Sequence, residues 1–170
     1  METLEAIHTR RSVLDFTSQS VPEEQVQILL EAAMQAPSAG NQQPWHFVLI
    51  TDRKQLDAIA DFLPFGKMLH TAPLGVVVCA DVEHARYRDY WVQDCSAATM
   101  NLLLTAHDLG LGAVWVGVYP LEERVMGLKE VLGLPEQIIP LTIIPIGYPA
   151  AKPEPQDKRF DRNRVHTNSW

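Results

Sequence analysis

Apolar positions recur along the chain with two different spacings, and these spacings divide it into helices and strands. Apolar residues three and four positions apart predict helices, whereas short apolar runs bounded by turn residues predict strands. The elements mostly alternate, which predicts one α/β domain over 1–170 with a single mixed sheet flanked by helices. The predicted helices cover 1–9, 22–36, 52–63, 90–109 and 121–132, with a helical turn at 65–71, and the predicted strands cover 47–51, 74–80, 113–118 and 138–146.

The longest predicted helix, over 90–109, is apolar nearly all round. A helix of this kind has to be covered on every side, but one sheet covers only one side of it. The small residues Ser96, Ala97 and Ala98 would let another helix approach closely. We therefore expect a partner to complete the core, and a second subunit is one source of that helix.

Two predicted strands differ in the position they favour within the sheet. The strand over 74–80 is apolar on both faces, which is typical of a central strand. The strand over 138–146 contains Pro140 and Pro145. Proline cannot donate to a sheet ladder, so these residues favour an edge position for that strand.

The C-terminal segment has no periodic pattern after Gly147, and we expect 150–170 to form an extended arm. Its basic residues cluster at 158–164, while Arg10 and Arg11 are adjacent near the N-terminus. The cluster indicates either a solvated tail or an arm that meets one anion together with the N-terminal pair.

Composition narrows the class of protein. A chain of 170 residues, 46% of them hydrophobic and 21% charged, can form one domain with a proper core. The formal net charge of −7 argues against nonspecific nucleic-acid binding. Residues 1–12 do not resemble a signal peptide, and the longest apolar run is too short to cross a bilayer. We therefore expect a cytoplasmic protein that binds neither nucleic acid nor membrane.

The side chains show no familiar catalytic arrangement. The histidines have neither the helical spacing nor the acidic neighbours of a zinc site, and no nucleophile or phosphate-loop motif is present. Cys79 and Cys95 do not form a CxxC motif and are interpreted as packing thiols. If the protein is an enzyme, a bound cofactor has to supply the difficult chemistry.

One connecting segment is unusually rich in polar groups. The stretch PSAGNQQPWHF, residues 37–47, joins a helix to a strand. A turn needs only one or two residues such as glycine or proline, whereas this segment adds three side-chain amides that both donate and accept hydrogen bonds. Either it only caps the helix, or it lines a ligand.

Four segments in order carry a resemblance to a known family: HTRRSVLDF, APSAGNQQPWHF, AATMNLLLTAHDLGLGAVWVG, and IPIGYP followed by a basic tail. Together they resemble the nitroreductase-like FMN-dependent oxidoreductases over essentially the whole chain. The resemblance implies a homodimer in which the long helices pack across the interface and both chains build each of two FMN grooves. It also implies that the strand over 138–146 lies inside the sheet.

The resemblance implies a phosphate clamp at the two ends of the chain. Arg10, Arg11 and Ser12 correspond to the FMN phosphate and ribityl contacts, and arginine suits phosphate because its planar donors can bind two oxygens. Arg159 corresponds to the late basic residue that closes on the same phosphate, with Lys158 as the neighbouring alternative.

The connecting segment corresponds to the part of the family fold that lines the flavin from the other subunit. Small residues let the backbone approach a flat ring, and amides can bond to a ring edge that carries donors and acceptors. Gln42, Pro44, Trp45 and His46 are interpreted as structural. The residues that the resemblance assigns to the flavin are Pro37, Ser38, Ala39, Asn41 and Gln43.

The end of the predicted third strand corresponds to the segment beneath the ring. It comprises Trp115, Val116 and Gly117. A backbone N–H in this segment is the expected donor to the flavin N5 position, where hydride arrives. Trp115 can equally be interpreted as a core residue.

The implied activity is an oxidoreductase in which NADH or NADPH reduces FMN and a flat acceptor, such as a quinone or a nitroaromatic, then takes the electrons. The alternative is a flavin-binding module without turnover, or an enzyme whose substrate is the flavin. The residues that either form an aromatic rim around the acceptor or belong to ordinary core and surface are Phe62, Phe65, Met68, Tyr87, Tyr90 and Trp91.

The family pattern leads us to expect a basic residue two positions after RRS, near the pyrimidine side of the flavin, where this chain has Leu14. A positive charge there favours the reduced ring by about 1–3 kcal/mol, or roughly 20–60 mV for a two-electron couple. Leu14→Arg should therefore raise the flavin midpoint potential, measured by spectroelectrochemistry. A lower melting temperature with an unmoved potential would instead make Leu14 a core residue.

Overall fold

The computed structural model describes residues 1–154 and 159–170. In this part of the chain, helices lie on both faces of one sheet. Each helix and strand predicted above is present, although the third strand is divided in two. The helices are α1 (Thr3–Thr9), α2 (Glu23–Met34), α3 (Arg53–Phe62), α4 (Trp91–Asp108) and α5 (Glu122–Leu132). The strands are β1 (Trp45–Ile50), β2 (Leu74–Asp81), β3 (Gly112–Ala113), β4 (Val116–Gly117) and β5 (Ile138–Gly147).

The strand order is β1-β2-β5-β3, and β4 also pairs with β5. The paired strands of the described residues all run antiparallel. The parallel part of the expected mixed sheet is a single bridge between Ser12 and Ala113. The segment after α1 therefore lies along the same sheet edge as β3 and β4.

Strand β5 is interior, because β2 pairs with one side of it and β3 and β4 pair with the other. The edge position that its prolines favoured is wrong, and the interior position implied by the family resemblance is confirmed. Pro140 follows a register shift in the β2 ladder between Val78 and Cys79. Such an irregularity leaves room for a residue that cannot donate to the ladder.

Pro145 explains why the predicted third strand is divided. Strands β3 and β4 pair with β5 in one continuous register, in which Ala113 faces Ile146 and Val116 faces Ile143. Val114 would face Pro145 in that register. Since proline has no N–H to donate, the ladder is interrupted at Val114 and Trp115.

Two apolar layers enclose the sheet. One layer packs α2 and α4 against side chains such as Val76 and Ile144, and the other packs α3 and α5 against Val77 and Ile143. Strand β2 is thus buried on both faces, as predicted. Cys79 lies within it and Cys95 on α4; both are buried and free, and burial raises the pKa of each thiol to about 12. This agrees with their interpretation as packing residues.

Helix α4 is only partly covered by its own chain. Ala98, Leu102 and Ala106 are fully buried, whereas Ala97 is half-buried and Met100 is 38% exposed. This agrees with the expectation that one chain leaves the helix incompletely covered, and the partner itself stays a prediction. Among the described helices, none combines the length and apolar character that crossing a bilayer requires.

Candidate functional site

The segment Arg10–Ser12 is held against the sheet edge by backbone contacts. The Arg10 N–H donates to the carbonyl of Ala6 and so ends α1, and the Val13 N–H donates to the carbonyl of Ala113 over 3.2 Å. The Val13 side chain lies where a Cβ on Gly112 would be only 2.7 Å from it, so glycine is needed there. These contacts fix the two arginines next to β3.

Three guanidinium groups lie near one another at this edge. Burial lowers the pKa of Arg10, and the charges of Arg11 and Arg159 lower it further. The exposed Arg159 of the C-terminal arm is thus close enough to act on Arg10. Lys158, the alternative to Arg159, lies outside the described residues.

The buried donors of this arginine cluster (Arg10, Arg11 and Arg159) indicate an anion site. The Nε atoms of Arg10 and Arg11 are buried and make no hydrogen bond with the described residues. Arg11 Nη1 donates to the carbonyls of His8 and Arg10, which fixes its orientation. Within the described part of the chain, no carboxylate is within 4.0 Å of the three guanidinium groups. Because an unpaired buried donor is costly, the cluster fits a phosphate that supplies acceptors and negative charge.

The segment over 37–43 forms a tight turn with its polar groups at the surface. Gly40, Asn41 and Gln43 all have positive φ angles, and a Cβ on Gly40 would lie 2.3 Å from the Tyr87 ring. The Ser38 hydroxyl accepts from the Gln43 N–H over 3.0 Å. The side-chain amides of Asn41 and Gln43 bond to each other and are exposed, as is Pro37.

A buried carboxylate, which the sequence analysis missed, holds this turn in place. Asp94 on α4 is 4% exposed and accepts from the Ala39 N–H over 2.9 Å and from Gln42 Nε2 over 2.7 Å. Gln42 Oε1 also accepts from the Tyr87 N–H over 2.8 Å. The structural interpretation of Gln42 is therefore confirmed. The signal in the sequence was a lone carboxylate within an otherwise apolar helix.

The other residues interpreted as structural differ in their burial. Pro44 and Trp45 are buried as expected, and His46 is exposed on β1. Of the possible rim residues, Phe65, Tyr87 and Tyr90 are exposed, whereas Trp91 is buried. The remaining two, Phe62 and Met68, are half-buried.

Strand β4 turns one side of its backbone away from the rest of the sheet. The Val118 N–H donates to the Leu141 carbonyl over 3.1 Å. Because backbone groups alternate in direction along an antiparallel strand, both the N–H and the carbonyl of Gly117 point away from β5. A Cβ on Gly117 would meet no atom within 4 Å. The space beside this glycine is open.

The neighbours of Gly117 differ in exposure. Val116 is buried, and its carbonyl accepts from the buried Thr142 hydroxyl over 2.7 Å. Trp115 is 37% exposed, so its interpretation as a core residue is wrong. Leu14 is 60% exposed, which likewise excludes the core position considered for it.

A single chain unites only two of the three predicted segments. Ser12 contacts Ala113, so the arginine cluster lies near 115–117 on one sheet edge. The segment over 37–43 leads into β1, at the opposite edge, roughly 14 Å away at the usual strand spacing. Within one chain, the turn over 37–43 and the arginine cluster therefore lie at opposite edges of the sheet.

Comparison with known proteins places the chain in a family. The nitroreductase family model matches residues 7–65 and 62–148. The chain belongs to the nitroreductase family. The family resemblance found in the sequence motifs is thereby confirmed.

Relatives of this nitroreductase-family chain match it along nearly its full length. A protein of Methanothermobacter thermautotrophicus, provisionally named NADH dehydrogenase/NAD(P)H nitroreductase, is 47% identical over 170 residues, which are 100% of this chain and 88% of the relative. The solved FMN-dependent nitroreductase of Clostridium difficile R20291 is 28% identical, with a TM-score of 0.91 over 99% of this chain and 100% of that one. A provisionally assigned nitroreductase of Desulfovibrio desulfuricans, solved in complex with FMN, is 31% identical, with a TM-score of 0.84 over 100% and 99% of the two chains.

His107, on α4, contacts the end of α1 and is influenced by the charges of Arg10 and Arg11. Its Nε2 is 2.7 Å from the Thr9 hydroxyl at the end of α1. Burial lowers the pKa of His107, the charges of Arg10 and Arg11 lower it further, and Asp108 opposes them. The histidine is therefore held neutral more strongly in the folded protein than in the unfolded chain.

The stability of the flavin-free protein should depend on pH through His107. Because the folded pKa lies below the unfolded value of 6.5, the unfolded chain takes up the proton first. The free energy of unfolding should thus fall as the pH falls from about 6.5 towards the folded pKa. Urea unfolding at a series of pH values measures this slope, and His107→Gln should flatten it. An identical slope in the variant would show that other groups cause it.

Proposed function

We propose that the protein is a cytoplasmic FMN-dependent oxidoreductase that takes hydride from NADH or NADPH and passes electrons to a small flat acceptor, such as a nitroaromatic or a quinone. The observation that carries the proposal is the arginine cluster, whose buried Nε donors lack acceptors within the described residues. Family membership and the FMN complex of the Desulfovibrio desulfuricans relative support the same cofactor.

Each segment of the site has a proposed role toward the cofactor. Arg10, Arg11 and Arg159 hold the phosphate, and Ser12 contacts the ribityl chain. At the ring, Gly117 donates its outward N–H to the N5 edge, with Trp115 and Val116 beside it. The bound flavin supplies the hydride chemistry, while these residues bind it, orient it and exclude water.

We propose that the working form is a homodimer. The partner's turn over 37–43 then lines the ring with Pro37, Ser38, Ala39, Asn41 and Gln43, which one chain holds at the far edge of its own sheet. The partly open face of α4 supports the same assembly, because two such helices would cover each other. Interfaces of this obligate kind commonly bury more than about 2,000 Å².

Anaerobic titration of the purified protein tests the activity. We expect a yellow dimer whose flavin, released by heat, is FMN, and whose yellow colour NADH or NADPH bleaches in the absence of oxygen. A panel of quinones and nitroaromatics should restore the colour. Bound FMN that neither nucleotide reduces would contradict the oxidoreductase and favour a flavin-binding module. Release of the reduced flavin as the product would favour an enzyme that uses flavin as its substrate.

Changing Arg10 to alanine should weaken FMN binding far more than it weakens folding. Each lost charged hydrogen bond costs roughly 1.5–3 kcal/mol, or about ten- to a hundredfold in affinity. Fluorescence titration of the flavin-free protein with FMN measures this loss, and thermal unfolding follows stability. Lys54→Ala removes an exposed charge from α3 on the other face of the sheet and serves as the control. Equal FMN affinity in Arg10→Ala and the unaltered protein would remove Arg10 from the clamp.

A further inference from the structure

Arg124 makes contacts that a solvated residue at the start of a helix would not make. It lies in the first turn of α5 and is half-buried. Its Nη1 donates to the Gly117 carbonyl over 3.0 Å, and its guanidinium carbon is 5.7 Å from the centre of the Phe65 ring. Its Nε is buried and makes no hydrogen bond with any described residue.

The charge of Arg124 is not neutralised by the acids beside it in the sequence. Glu122 and Glu123 precede it on α5, yet neither brings a carboxylate oxygen within 4.0 Å of its nitrogen atoms, and no other carboxylate of the described residues does. The half-buried guanidinium of Arg124 therefore lies beside β4. Its Nη1 has one carbonyl acceptor, and its buried Nε has no acceptor among the described residues.

The position of this cation follows from the direction of β4. The N–H and the carbonyl of Gly117 point to the same outer side of the sheet, as described above, and Arg124 binds the carbonyl. Any group that accepts from the Gly117 N–H is therefore the immediate neighbour of the guanidinium. The open space at the Cβ position of Gly117 lies beside the same residue.

We propose that Arg124 tunes the cofactor: it fixes the Gly117 carbonyl and places a positive charge beside the edge of the flavin that the Gly117 N–H faces. The inference rests on the proposed function, because it takes the ligand of the Gly117 N–H to be FMN. Reduction adds negative charge to the ring, so a nearby cation stabilises the reduced form more than the oxidised form.

Leu14 leaves the segment after α1 without such a charge at this position. The position at which the family resemblance predicts a basic residue carries an exposed leucine in this chain. Arg124 reaches the site from α5 instead of from the segment after α1. The chain thus supplies its ring-side charge through a different element of the fold.

Two variants of Arg124 separate its charge from its hydrogen bond. Arg124→Gln keeps a donor for the Gly117 carbonyl but removes the charge, whereas Arg124→Lys keeps the charge. We expect Arg124→Gln to lower the ratio of reduced to oxidised FMN affinity about tenfold, which is a midpoint potential about 30 mV lower for a two-electron couple. Arg124→Lys should retain most of the original potential. Spectroelectrochemistry with a chemical reductant measures both.

The matched control lies on the same helix. Lys129 is half-buried on α5 and donates to the Glu136 carbonyl over 2.7 Å, away from β4. Lys129→Met should leave the potential unchanged even if it lowers the melting temperature. A potential that moves equally in Arg124→Gln and Lys129→Met would assign the effect to general loss of stability and overturn the proposal.

The remaining outcomes distinguish this inference from the function on which it rests. An unmoved potential in Arg124→Gln, with FMN still bound, would overturn the role of Arg124 alone. FMN that NADH and NADPH fail to reduce would overturn the oxidoreductase, yet the chemically measured potentials would still decide the role of Arg124. Failure of the unaltered protein to bind FMN would overturn both.

Discussion

The pairing of β5 on both sides is the constraint on which the candidate site depends. Strand β2 fixes one side of β5, and the other side sets the register of β3 and β4 together. That register turns the N–H and the carbonyl of Gly117 outward and brings Ala113 against Ser12. The backbone donor, the cation on Arg124 and the arginine cluster are thus placed along one edge by the same set of hydrogen bonds.

The site concentrates positive charge that the described residues do not neutralise. Burial and the charges of Arg11 and Arg159 lower the pKa of Arg10, and burial and the charges of Arg10 and Arg11 lower the pKa of His107. Uncompensated positive charge of this kind works against folding, and strained or repulsive sites are common where function requires them. In the proposed site this charge is in place before FMN binds, so binding does not have to bring it together.

The sequence was sufficient for the helices, the strands and the family, because apolar spacing and four ordered motifs are local signals. It was misleading for β5, since Pro140 and Pro145 favour an edge, whereas the register places them beside interruptions of the ladders. Asp94 left a readable signal as a lone carboxylate in an apolar helix. Arg124 left none, because a basic residue after two glutamates is typical of a solvated helix start, and its contact with Gly117 arises only in the folded chain. The roles of the site residues toward FMN stay predictions.

The interruption at Pro145 also bears on self-association. An uninterrupted strand over 112–117 would present a continuous row of unpaired backbone groups at the sheet edge, and such an edge is a template for pairing with other molecules. Dividing it into two segments of two residues each leaves no stretch long enough to nucleate an intermolecular sheet. By interrupting the ladder, Pro145 thereby limits the pairing of this edge with other molecules.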